Sequence, residues 1–220
     1  MKFIKVEKLY IMKKISKKTK TKKVPFSQLS PEKKRVAIAR DVLEQIRIGR
    51  YISNGGSYID ALLMKDGKDK WDMSSLDIKS NFGKIKNCKV CAMGACLMSI
   101  TKFENKLDFY DIGNDIENLN NEKTKILFQS IFSPEQLLLI ERAFEGKSGG
   151  TTVGVNIFSL SEDDFKNKIN KCQKFYKKFE LKPKKDATIK EKENRTRLNH
   201  QNRMIAIMRN LIKNNGTFKL

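Results

Sequence analysis

The sequence is organised around one segment, Asn87-Cys88-Lys89-Val90-Cys91-Ala92-Met93-Gly94-Ala95-Cys96-Leu97-Met98-Ser99-Ile100. It is the only long run of small and apolar residues that is nearly free of charge, in a chain with 46 Lys and Arg among 220 residues. We interpret it as the start of a central helix over 88–109. The flanking helices are expected to pack on it, because small residues such as Gly94 and Ala95 let a neighbouring helix approach closely.

Four more helices are predicted around this one, from helix caps and from apolar residues at helical spacing. Ser30-Pro31 and Ser133-Pro134 each put a serine at the N-cap and a proline at the first helical position. The predicted helices are 31–48, 134–145, 162–179 and 189–213. Together they predict a mainly α fold, a compact multi-helix domain packed around a central Cys/Ala/Gly-rich helix, with little or no sheet.

The segments between these helices are predicted to be irregular. Residues 50–58 contain Asn54-Gly55-Gly56, which is typical of a turn because glycine accepts a positive φ at low cost. Residues 60–81 are polar and are expected to include one short helix. Residues 147–160 hold the one candidate strand or hairpin and, like residues 180–188, are expected to form a flexible insertion.

Positive charge is concentrated at the two ends of the chain, which has a formal net charge of +21. Residues 1–35 hold 13 Lys and Arg against 2 acids, and residues 166–220 hold 17 against 4. A block of lysines repels itself and cannot offset its ordering entropy by burial. We therefore expect residues 1–27 to be a disordered basic arm attached to a single helical domain over 28–220.

This charge layout is typical of a domain that contacts nucleic acid through basic arms. Two simpler interpretations remain: the lysine excess of an AT-rich genome, and a solvated tail. Along the last helix, the polar face around His200 is likewise interpreted either as a phosphate contact or as a solvent-exposed surface, and we favour exposure. The candidate nucleic-acid-binding residues are Lys13, Lys14, Lys17, Lys18, Lys22, Lys23, Arg195, Arg197 and Arg203.

Cys88, Cys91 and Cys96 are the candidate metal ligands. A zinc site needs four thiolate or imidazole ligands, usually in two pairs, and only Cys172 and His200 remain, far apart in the sequence. The pattern favours buried structural thiols and no cofactor, with zinc as the alternative. A redox Cys-x-x-Cys pair follows a strand in a βαβ unit, and we predict no strand there.

Catalytic chemistry is poorly supported by the sequence. His200 is the only histidine, so a histidine-based triad or a multi-histidine metal site lacks a partner. The acidic clusters at 111–117 and 162–164 lack the strand context of a metal-dependent nuclease, and the second is explained by stabilisation of a helix N-terminus. We predict no catalytic residues and a protein that acts by binding.

The motifs resemble those of an uncharacterised protein family of bacteriophages and bacteria. The resemblance lies in a central CxVCAxGA motif at 88–95 and in a C-terminal RxIAIMxNxIxNNGTF motif at 203–218. It extends to residues 40–46, 56–58 and 132–145, in the same order. The resemblance implies a compact, mostly helical phage-type protein, of a sort that often engages host machinery or counters host defence.

From these features we expect a non-enzymatic accessory protein in the cytoplasm, associating with nucleic acid through its basic segments. The alternative is a counter-defence or host-takeover factor that binds a host protein or a signalling nucleotide, and a metal-dependent enzyme is a second alternative. No apolar run approaches the roughly 20 residues that span a bilayer, and no secretory signal is recognised, so we expect no membrane association.

Overall fold

The computed structural model describes residues 24–55, 59–67, 78–104, 122–146, 161–182 and 184–220. The fold is mainly α, with one hydrophobic core and a small sheet. The helices are α1 Pro31–Arg47, α2 Ile78–Asn81, α3 Ala92–Phe103, α4 Glu122–Gln129, α5 Pro134–Glu145, α6 Glu162–Lys178 and α7 Ile189–Lys213; the strands are β1 Tyr51–Ser53, β2 Ile59–Met64 and β3 Ile85–Val90. None of the helices in these ranges is long and apolar enough to cross a lipid bilayer.

Helix α3 is the centre of the fold, as the sequence predicts. Every residue from Ala92 to Thr101 is buried, and the helix contacts α1, α5 and β3. Its start differs from the prediction, because Cys88 lies in β3 and Cys91 is the N-cap, whose Sγ accepts a hydrogen bond from the Gly94 N–H at 3.4 Å. The helix ends at Phe103 with Glu104 as an extended C-cap, earlier than predicted, and residues 105–109 of the predicted span lie outside the described residues.

The three-stranded sheet has the order β1-β3-β2. Strand β3 is parallel to β1, with Tyr51 opposite Cys88, and antiparallel to β2. The prediction of irregular structure is therefore wrong for β1 and β2, and so is the prediction that no strand precedes the Cys-x-x-Cys pair. These strands are short and depend on pairing with residues distant in the sequence, which local patterns do not record.

The predictions for four helices around α3 are confirmed. Local capping groups determine where these helices begin. Ser30, Ser133 and Ser161 each accept the backbone N–H of the residue three positions on. Thr188 forms a capping box with Glu191. Helices α1, α5, α6 and α7 begin at the predicted residues and end within one residue of the predicted ends. Helix α4, which buries Leu127 and Phe128 in the core, was not predicted from the sequence.

The two halves of α7 lie in different environments. The second half buries Met204, Ile207, Met208 and Leu211, and the helix packs against α1 and α5. The first half, up to Leu198, is largely exposed and follows α6 after the connection at 179–188. The charged residues of this half therefore lie at the surface, next to the end of α6 in the chain.

Candidate anion-binding site

Exposed basic side chains are concentrated where α6 ends and α7 begins. We call residues 171–182 and 184–197 the basic corner. It holds eleven Lys and Arg against four Asp and Glu, a net charge of +7, and all of its lysines are exposed. The acids of α6 lie in its first turn, at the opposite end of the helix. The charge of α6 is thus separated along its axis, and the corner presents a field that attracts anions.

A cleft opens within the basic corner, between the end of α6, the connection and one face of α7. We call it the α6–α7 cleft, and its volume is about 270 Å³. Four cationic side chains line it together with one carboxylate, that of Glu180. The lining residues are Tyr176, Glu180, Leu181, Lys182, Lys192, Arg195, Thr196, Asn199, His200 and Arg203.

Arg203 is the buried cation of the cleft, with a side chain that is 2% exposed. Its guanidinium carbon lies 3.5 Å from the centre of the Tyr176 ring. Its Nε donates to the carbonyl oxygen of Tyr176 at 3.3 Å, and its Nη1 donates to that of Phe144 at 3.4 Å. Burial lowers the pKa of Arg203, but a guanidinium stays charged at neutral pH. The fold therefore holds a fixed positive charge at this position.

His200 lies next to Arg203 in the wall of the cleft. The centre of its ring is 5.5 Å from that of Phe144. The backbone of Gly55 packs closely here, since a Cβ at residue 55 would lie 2.9 Å from both His200 Nε2 and Glu145 Oε2. Burial, helped by the charge of Arg203, lowers the pKa of His200 to about 4. The imidazole is therefore neutral at pH 7 and offers hydrogen bonding without charge.

Asn199 fixes the outer wall of the cleft to α7. Its Oδ1 accepts the backbone N–H of Leu181 at 2.8 Å, and its Nδ2 donates to the carbonyl oxygen of the same residue at 3.3 Å. This pair of hydrogen bonds satisfies the backbone of Leu181, which lies outside any helix or strand. The adjacent Lys182 is thereby held at the edge of the cleft.

The cations at the mouth of the cleft are not held in close ion pairs, although Glu191 lies within electrostatic reach of Arg195. Among the residues that the structure describes, the side chains of Lys182, Lys192 and Arg195 form no salt bridge and no hydrogen bond. Some basic side chains elsewhere are paired with acids: Lys34 with Glu104, Arg35 with Glu32, Arg47 with Glu44, Lys102 with Asp41, Lys166 with Glu162, and Lys168 with Glu135. Other exposed bases, such as Lys33, Arg40 and Lys86, form no salt bridge with the described residues either, so it is the grouping of such cations around one cleft that distinguishes this site. The cleft therefore combines a buried guanidinium with three cations that are available to an anion.

The predicted nucleic-acid contacts do not all lie in one place in the structure. Arg195 and Arg203 meet in the cleft, whereas Arg197 is exposed outside it and donates to Asn194 at 3.5 Å. The interpretation of this face as solvent-exposed is wrong for Arg203, and His200 is half-buried. The predicted lysine contacts of the arm, Lys13, Lys14, Lys17, Lys18, Lys22 and Lys23, lie outside the described residues.

Lys192 and Lys182 are cleft residues that the sequence analysis did not single out. For α7 a signal was available, because positions 192, 195, 199 and 203 recur at intervals of three and four and so share one helix face. No such signal existed for Lys182, since it reaches the cleft from the connection. Its position depends on how the connection folds back onto α7.

The candidate metal ligands Cys88, Cys91 and Cys96 are buried thiols. Burial raises the pKa of Cys91 far above its ordinary value and that of Cys96 to about 12. Within the described ranges, no three His, Cys, Asp or Glu side chains are grouped so that they could hold a metal ion. Although Cys91 caps a helix that follows a strand, its thiol is protonated at neutral pH and is a poor nucleophile.

Comparisons with protein-family models, with curated proteins and with solved structures give no match to this chain. The functional interpretation is therefore based on the basic corner and the α6–α7 cleft.

Proposed function

We propose that this protein is a nucleic-acid-binding protein that acts by binding, and that the basic corner contacts the phosphate backbone. The observation that supports the proposal most strongly is the group of cations around the α6–α7 cleft that form no salt bridge within the described part of the chain. Lysine and arginine that form no internal ion pair can neutralise phosphates and release the counterions condensed on nucleic acid. The protein thus gains binding free energy without losing salt bridges of its own.

The composition of the corner supports backbone contact over base readout. Nine of its eleven basic residues are lysine, which contacts phosphate as a mobile point charge, whereas base readout usually depends on arginine and amide side chains. We therefore expect binding that is weakly dependent on sequence and strongly dependent on salt. The basic segment at 1–23 carries ten further lysines, which would extend the same kind of contact.

The test removes three charges from the corner and compares the result with the removal of three charges elsewhere. In the corner variant, Lys184, Lys185 and Lys190 are replaced by glutamine. All three are exposed, and none lines the cleft. The matched control replaces the exposed residues Lys33, Arg40 and Lys86 by glutamine, so both variants change the net charge from +21 to +18.

Binding to a fluorescein-labelled 20-base-pair duplex is measured by anisotropy at several salt concentrations. Each lysine that contacts a duplex phosphate contributes about 0.9 to the slope of log affinity against log salt. We expect the corner variant to lose up to about 2.7 in slope, and the control to keep the slope of the parent. Equal losses in the two variants would show that only net charge matters, and absence of binding by the parent protein would refute the proposal.

A further inference from the structure

We propose that the α6–α7 cleft binds a phosphate monoester, supplied either by the end of a nucleic-acid strand or by a free nucleotide. This inference rests on the proposed function, because it specifies which kind of phosphate group the α6–α7 cleft binds when the basic corner contacts nucleic acid. The juxtaposition that carries it is a buried, immobilised Arg203 in a cleft whose mouth holds three cations with no salt bridge to any described residue.

The charge of the cleft suits a dianion. Among the lining residues, Lys182, Lys192, Arg195 and Arg203 contribute four positive charges, and Glu180 contributes one negative charge. Outside the lining, Glu145 interacts with Arg203 and Glu191 with Arg195, which reduces but does not reverse the positive field. A phosphate monoester carries about −1.5 to −2 charges at pH 7, whereas an internal phosphodiester carries one. The monoester therefore gains more from the net charge of +3 in the cleft than a backbone phosphate does.

The guanidinium of Arg203 is preorganised for this role. Stacking on Tyr176 fixes its plane, and the hydrogen bonds to Tyr176 and Phe144 use Nε and Nη1. Its Nη2 takes part in neither bond. A planar guanidinium held in place loses little side-chain entropy on binding, and phosphate oxygens match the geometry of its N–H groups. Arg203 thus supplies a fixed donor at the base of the site.

The size of the cleft suits the end of a strand. An internal phosphodiester continues into a sugar on both sides, whereas a terminal phosphate has one ester bond and presents three oxygens. The space of about 270 Å³ is bounded by α7 and by a connection that Asn199 ties down at Leu181. A space of this size can hold one phosphoryl group with its sugar, and the exposed lysines outside the cleft can contact the rest of the strand.

The experiment compares ligands that differ only in a terminal phosphate. A 20-nucleotide single strand is prepared with a 5′-phosphate, with a 3′-phosphate or with hydroxyls at both ends, and it is labelled at an internal base. Affinities are measured at 200 mM salt for the full chain. Adenosine monophosphate and adenosine are added as competitors, which separates a free nucleotide from a strand end as the source of the monoester.

Arg195→Gln and Arg197→Gln form a matched pair of variants on the same helix. Both lose one positive charge, but Arg195 lines the cleft and Arg197 lies outside it. We expect the parent protein to bind at least one phosphorylated ligand about tenfold more tightly than its hydroxyl counterpart, since several charge-assisted hydrogen bonds are gained. Arg195→Gln, and independently Lys192→Gln, should remove that preference, and Arg197→Gln should retain it.

Two results would overturn the inference. One is a parent protein that binds phosphorylated and hydroxyl ligands equally well, and the other is a phosphate preference that Arg197→Gln reduces as much as Arg195→Gln does. Both outcomes leave the proposed function intact, because that function is tested by the salt dependence of duplex binding in variants that keep the cleft cations. Competition by adenosine monophosphate, with adenosine inactive, would support the inference and identify a free nucleotide as the source.

Discussion

Replacing Gly216 by alanine tests how the end of α7 closes against α1. The φ of Gly216 is +86°, and a Cβ at this residue would lie 2.3 Å from the carbonyl oxygen of Glu32. The left-handed conformation costs an alanine about 1–2 kcal/mol. Overpacking against a backbone oxygen, which cannot rotate away as a side chain can, costs about 1–3 kcal/mol more. We therefore expect Gly216→Ala to lower the free energy of unfolding by about 3 kcal/mol.

Gly49→Ala is the matched control. Gly49 also has a positive φ, +76°, but nothing lies within 4 Å of the position that its Cβ would take. Its loss should be the conformational cost alone, about 1 kcal/mol. Urea denaturation followed by circular dichroism measures both variants, and a difference of about 2 kcal/mol corresponds to a midpoint shift of about 1 M. Equal midpoints for the two variants would contradict this prediction, because the contact with Glu32 would then cost nothing.

Two further predictions concern buried titratable groups. Because the folded pKa of His200, about 4, lies below its ordinary value of 6.5, the unfolded chain binds more protons between these pH values. The free energy of unfolding should therefore fall as the pH is lowered from 6.5 to 4. The contribution of this partly exposed ring to that fall is about 1–2 kcal/mol. It is measured by comparing the pH dependence of the free energy of unfolding in the parent protein and in His200→Gln. The four cysteines are buried and should react with a disulfide reagent such as DTNB only when the chain unfolds. Rapid labelling of the native protein at pH 8, or pH dependence that is identical in His200→Gln, would contradict these expectations.

The local capping groups determined most of the helical fold. Ser30-Pro31 and Ser133-Pro134 start α1 and α5 where predicted, because an N-cap serine and a following proline act within one turn of chain. The central position of α3 was also predictable, because small and apolar residues with little charge are the ones most often buried in the interior. The start of α3 was not predictable, because Cys88 could belong to either a helix or a strand.

The sheet shows what tertiary pairing decides. Strand β1 is three residues long, and it is stabilised by β3, which lies more than thirty residues further along the chain. Strand β3 buries Ile85, Cys88 and Val90 between exposed lysines. This partial alternation of buried and exposed residues was hard to recognise in the sequence, because the apolar residues of α3 follow it directly. A single chain segment does not show which partner will supply its missing hydrogen bonds.

The gathering of positive charge at the two ends of this protein can be read from its sequence alone, and so can the shared helix face of positions 192, 195, 199 and 203. Which of those charges a ligand can reach depends on the fold. Lys168 is paired with Glu135 of another helix, Arg203 is buried on Tyr176, and Arg195 is left without a salt bridge among the described residues. Charge is a property of each residue, whereas its neutralisation depends on neighbours that the folded chain brings within a few ångströms.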